Sequence, residues 1–97
     1  MPITTLDTSA LKVKILKIGK QRVIHVYGSG SSNANATLFN VDENNRPKSE
    51  TRGIVTLMDS SGALSGTIVV IGTNGDAKLT GAISNKYLQA VLVYEVA

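Results

Sequence analysis

Ninety-seven residues suffice for one small domain and are too few for two separate cores. An apolar share of 42% excludes a disordered chain, and the lack of cysteine excludes a disulfide-stapled scaffold and thiolate metal sites. The net charge of +3 is concentrated, because Lys12, Lys14, Lys17, Lys20 and Arg22 share a short segment with no acid.

The aromatic residues are Tyr27, Phe39, Tyr87 and Tyr94, so the core must come from Val, Ile and Leu, as suits packed sheets. No apolar run approaches the ~18 residues that a membrane span needs. The first residues lack the basic-then-apolar order of a signal peptide. Synthesis in a cytoplasm without membrane insertion is the expectation. The lysine cluster suits either an anionic partner or a solvated outer strand face that resists edge association. No aromatic side chain interleaves these lysines as a base-stacking platform requires, so no nucleic-acid partner is expected.

Residues 1–10 are Thr- and Ser-rich and read as a linker, with one domain over 11–97. Leu11-Lys12-Val13-Lys14-Ile15 alternates as a half-buried strand does, and Leu16-Lys17-Ile18 then shifts parity, which predicts a bulge near Ile15 or Leu16. Gly19-Lys20 closes a tight hairpin into a strand over Gln21–Tyr27, with Val23, Ile24 and Val26 as its apolar residues. Gly28–Asn35 reads by composition as a mobile surface loop; it lacks the third glycine of a dinucleotide fingerprint and opens no helix.

A short strand is predicted over Thr37–Val41, then a polar turn over Asp42–Pro47 in which Pro47 drives Arg46 into an extended conformation. Strands follow over Gly53–Met58 and Thr67–Ile71, separated by the Asp59-Ser60-Ser61-Gly62 turn. Thr73-Asn74-Gly75-Asp76 carries the Asn-Gly pair of a type I′ hairpin leading into Ala77–Thr80. After a loop over Gly81–Lys86, Tyr87–Val96 is the last and longest strand.

Ile68-Val69-Val70-Ile71 and Ala90-Val91-Leu92-Val93 are apolar on consecutive residues, whereas an antiparallel strand with one wet face should alternate. With no helices to cover the second face, a copy of the same chain is the economical cover, and a homo-oligomeric interface is expected on these strands.

The residues offer little for catalysis. His25 is the only histidine, so zinc-ligand spacing is absent, and no Gly-x-Ser-x-Gly elbow occurs. The acids fall mostly in predicted turns, where acids are favoured for local reasons. The expectation is a binding module without catalysis, cofactor or metal.

Asn45-Arg46-Pro47-Lys48-Ser49, then Gly53–Leu57 and Gly66–Val70, with the Thr73–Asp76 turn after an apolar strand, resembles a pattern of bacteriophage tail-tip proteins. In size and turn order, residues 11–97 are similar to the C-terminal head domains of lactococcal siphophage receptor-binding proteins. The resemblance implies an all-β fold, a small antiparallel Greek-key-like β-barrel assembled as a homotrimeric head on the virion's distal tail or baseplate. It implies adhesion to host cell-wall saccharides, often phosphate-bearing, with residues 1–10 the remnant of a neck. Other baseplate proteins would be contacted through N-terminal segments that precede the head. Saccharide recognition needs polar side chains that fork onto hydroxyls beside an apolar or aromatic face. His25, Asn74, Asp76, Lys78, Lys86, Tyr87 and Gln89 are the candidates, chosen at turn tips and flanking strand positions. Such heads also use an aromatic residue, and with no Trp here that role falls to Tyr27, Tyr87, Tyr94 or Phe39. The alternatives are a structural tail or capsid-decoration protein that contacts other virion proteins, and a nucleic-acid-binding barrel built on the lysine cluster.

Overall fold

The computed structural model describes residues 3–5 and 11–96, with side chains from Leu11 onward. Its elements are β1 (Ile3–Thr5), β2 (Leu11–Ile18), β3 (Gln21–Ser32), β4 (Thr37–Asn40), a 3-10 turn (Glu43–Asn45), β5 (Thr51–Met58), β6 (Leu64–Ile71), β7 (Asp76–Leu79) and β8 (Ile83–Glu95). They form one antiparallel sheet in the order β1-β2-β3-β8-β5-β6-β7-β4, and the fold is all-β as the residue pattern predicts. β5, β6 and β7 follow one another through hairpins, while β4 lies beside β7, which is Greek-key order. The sheet curls into a half-barrel. Among the described residues it does not close, because β1 and β4 remain its two edges. The neck-like stretch expected over 1–10 lies outside the described residues except for Ile3–Thr5, which pairs with Lys14–Leu16.

The inner face holds one apolar cluster. Val13, Ile24, Val26, Val69, Ile71, Leu79, Leu88 and Leu92 are essentially fully buried, and Phe39 and Val41 pack in from β4 and the residue after it. Each belongs to the inward parity of its strand, so alternation alone assigns the face. Val23 lies on the other parity and is half-buried, whereas its neighbours Ile24 and Val26 enter the core.

The bulge predicted near Ile15 is absent. Pairing of β2 with β3 runs unbroken from Leu11↔Gly28 to Ile18↔Gln21. The parity change in the sequence arises because the inner face leaves the core at Lys17, while Leu16 and Ile18 point outward. The register shift in this part of the sheet lies instead between Gly30 and Ser32, against β8. The mobile loop expected over Gly28–Asn35 is mostly strand: Gly28, Ser29, Gly30 and Ser32 pair with Leu88, Tyr87, Lys86 and Ile83. A Gly/Ser stretch has weak intrinsic preference, and the 13-residue β8 offers it a row of backbone partners. For the same reason β8 begins at Ile83, inside the loop expected over Gly81–Lys86.

The hairpin at Gly19-Lys20 forms, with Gly19 at φ 58° and Lys20 outside the left-handed region, the pattern of a type II′ turn. The turn at Asn74-Gly75 is not type I′, since only Gly75 takes positive φ. The Gly75 amide donates to the Gly72 carbonyl (2.9 Å) and the Gly72 amide to the Asp76 carbonyl (3.0 Å), a type I turn closed by a bulged glycine. The β5–β6 turn repeats this scheme: the Gly62 amide donates to the Asp59 carbonyl (3.0 Å) and the Asp59 amide to the Ala63 carbonyl (3.1 Å). Arg46 is extended before Pro47, at φ −76° and ψ 139°, as expected.

The two consecutive apolar runs alternate in structure. Val69, Ile71, Ala90 and Leu92 face the core, while Ile68 (40% exposed), Val91 (54%) and Val93 (56%) face outward. Ile54 on β5, 78% exposed, joins them through its pairing with Ile68. No element of this chain covers that outer stripe among the described residues.

Candidate functional site

The strand order brings three outward residues into one row: Arg52 on β5 pairs with Val70 on β6, and Val70 pairs with Lys78 on β7. The β6–β7 turn adds Asn74 and Asp76 at the end of this row. Together with Glu50 and Thr80 these residues line a surface groove of about 310 Å³. Val70 gives it an apolar floor, and its rim carries hydroxyl, amide, carboxylate and guanidinium groups.

The rim is partly preorganised. Asp76 Oδ1 accepts from Asn40 Nδ2 (2.5 Å), Asp76 Oδ2 accepts from Asn74 Nδ2 (3.3 Å), and the Asp76 amide donates to Asn74 Oδ1 (3.1 Å). An ionised carboxylate has about four acceptor sites, so Asp76 retains capacity for an incoming hydroxyl. Arg52 Nη2 and Glu50 Oε2 lie 3.5 Å apart with both side chains more than half exposed, so the pair contributes little to stability and can open toward a ligand. The groove therefore combines balanced opposite charges with hydrogen-bond donors and acceptors over an aliphatic floor.

The seven predicted residues divide into three places. Asn74, Asp76 and Lys78 meet in the groove. His25 and Gln89 lie on the outer face of β3 and β8, with Gln89 Nε2 3.5 Å from His25 Nε2. The His25 ring stacks at 4.8 Å and 36° on Tyr27, over which Lys14 Nζ sits 5.7 Å from the ring centre. Lys86 and Tyr87 lie near the β5–β6 turn, where Lys86 Nζ is 3.8 Å from Asp59 Oδ2. Hydrogen bonds from the Ser61 hydroxyl and the Ala63 amide hold the Asp59 carboxyl below its ordinary pKa, against a smaller opposing effect of burial. Of the residues named for ring stacking, Tyr94 and Phe39 are in the core and Tyr87 is 41% exposed.

Arg52, Glu50 and Thr80 are groove residues that sequence reasoning did not single out. Their outward parity was legible, but the adjacency of β5, β6 and β7 rows sets their meeting. The basic segment 12–22 is likewise not one patch: Lys12 and Lys14 point outward, and Lys17 and Arg22 point inward at one end of the half-barrel. Among the described residues no group of three or more His, Asp or Glu is placed to hold a metal, and no helix is long and apolar enough to cross a membrane. No protein-family model matches the sequence, and no curated protein matches it either.

Proposed function

We propose that this chain is a host-adhesion module, a phage receptor-binding head that engages bacterial cell-wall saccharide without acting on it chemically. The observation that carries the reading is the groove at the β6–β7 turn, where Asp76, Asn74, Arg52, Lys78 and Thr80 surround the Val70 floor. The resemblance of residues 11–97 to phage receptor-binding heads supplies the biological setting, a trimer on the distal tail or baseplate. The outer stripe of Ile54, Ile68, Val91 and Val93 is the surface on which copies would pack, which puts the groove beside a subunit boundary.

The test is retention of the purified chain on host cell-wall polysaccharide. Asp76→Ala and Arg52→Ala should each weaken retention about tenfold, the scale expected when a charge-assisted hydrogen bond to ligand is lost. Absence of binding by the parent chain to any wall fraction of its host sinks the reading. The exposed apolar stripe also favours a second reading, a structural tail protein that contacts other virion proteins. Added free chain that blocks phage adsorption supports adhesion; no effect at saturating concentration supports the structural role.

A further inference from the structure

The inner face of β2 and β3 changes character at one end of the half-barrel. The alternation that places Val13, Ile15, Ile24 and Val26 in the core continues to Lys17 and Arg22, which pair across the ladder. There the core gives way to a cleft of about 660 Å³ lined by Lys17, Arg22, Arg46 and Lys48, with Glu43 as its one acid.

Arg22 is only 3% exposed. Its Nε donates to Asn45 Oδ1 (2.7 Å), Nη1 to the carbonyls of Gly19 (2.8 Å) and Gln21 (2.9 Å), and Nη2 to the Asn44 carbonyl (3.2 Å). All these acceptors are neutral, and they occupy four of the five guanidinium N–H groups. Asp42 reaches Arg22 only through Asn45, whose Nδ2 donates to Asp42 Oδ1 (2.5 Å). Among the described residues none of the four cations of the cleft forms an ion pair. Arg46 uses only Nε, toward the Val41 carbonyl (3.4 Å). A buried cation without a counter-ion is disfavoured, and buried arginines are normally paired.

We propose that this cleft is a binding site for a small oxyanion, a phosphate or carboxylate group. The fifth N–H of Arg22 is its fixed donor, the Nη groups of Arg46 are left for the ligand, and Lys17 and Lys48 add exposed ammonium groups. Arg22 is preorganised by its four carbonyl and amide acceptors, so the ordering cost falls on the ligand and the exposed side chains. The site lies across the β6–β7 turn from the saccharide groove, with Thr73 on its wall, and it stands independently of the adhesion reading.

The experiment is a titration of the whole chain, followed by backbone and arginine Nε–H resonances, with inorganic phosphate, acetate and chloride at matched ionic strength. Saturable shifts of Arg22 Nε–H and of the amides from Asn44 to Lys48 with phosphate, absent with chloride, are expected. Saturation by acetate as well shows a general oxyanion site, and saturation by phosphate alone a phosphoryl site. A Lys17→Gln/Lys48→Gln double variant, exposed at both positions, should keep the fold and bind at least about fivefold more weakly. Shifts equal in chloride, shifts spread to Lys12, Lys14, Lys78 and Lys86, or an unchanged affinity in the double variant overturn the site. Asp76→Ala should leave this titration unaltered, so that loss of saccharide binding and loss of anion binding are told apart.

Discussion

At the scale of single residues, two glycines with similar backbones separate strain from contact. Gly62 and Gly75 both take the left-handed region, at φ 86° and 88°. An added Cβ at Gly62 meets nothing within 4 Å, whereas at Gly75 it collides with the Val41 carbonyl and presses on the Arg46 side chain. Gly62→Ala should therefore cost about 1 kcal/mol from backbone strain alone. Gly75→Ala should cost at least about 2 kcal/mol, because contact is added to strain. Urea midpoints of the two variants check the order. Tyr94 supplies a pH-dependent case. Its hydroxyl donates to the Asn45 carbonyl, and burial pushes its pKa up to about 12 against the lowering effect of Arg22. The folded chain thus favours the protonated phenol. The stability this contributes is fully present below the ordinary value near 10 and is lost as pH rises to about 12. In Tyr94→Phe the urea midpoint should lose this fall between pH 10 and 12.

At the scale of elements, β8 is the strand on which the others depend, paired with β3 on one side and β5 on the other. Its inward and outward residues do different work although they alternate within one apolar run. Leu92 is 2% exposed, and Leu92→Ala should destabilise by about 2–5 kcal/mol through the cavity left behind. Val91→Thr, on the outward face, should change the stability of the monomer by about 0.5 kcal/mol or less. Thermal unfolding of both variants at low protein concentration checks this contrast. Strand identity and face followed from period two, and turn positions followed from Gly, Asn and Asp. Strand ends did not, because Gly28–Ser32 and Ile83–Lys86 become strand only by pairing with each other. Turn type was equally hidden: Asn74-Gly75 permits type I′, but the structure has the bulged type I form, with Gly75 alone at positive φ and its carbonyl accepting from the Val41 amide (3.0 Å).

At the scale of the whole molecule, the outer face carries an uncovered apolar stripe among the described residues. Exposed apolar side chains scattered singly are ordinary, but Ile54, Ile68, Val91 and Val93 adjoin across β5, β6 and β8. Self-association through this stripe predicts that Val91→Lys combined with Ile54→Lys shifts sedimentation to monomer without altering the circular dichroism of the sheet. A parent chain that sediments as monomer at high micromolar concentration counts against it. By itself the sequence determined an all-β chain, the inward residues of each strand and the turn positions, because side-chain alternation and backbone preference are local. It also put Asn74 and Asp76 at a surface turn with Lys78 on its flank, since a turn tip is exposed in any fold. Only the tertiary structure decided that the half-barrel stays open among the described residues. Only it set Arg52 beside Lys78 across Val70, and buried Arg22 among neutral acceptors at the mouth of a basic cleft. Those arrangements depend on which strands are neighbours, and strand order is settled by non-local pairing that no short stretch of sequence encodes.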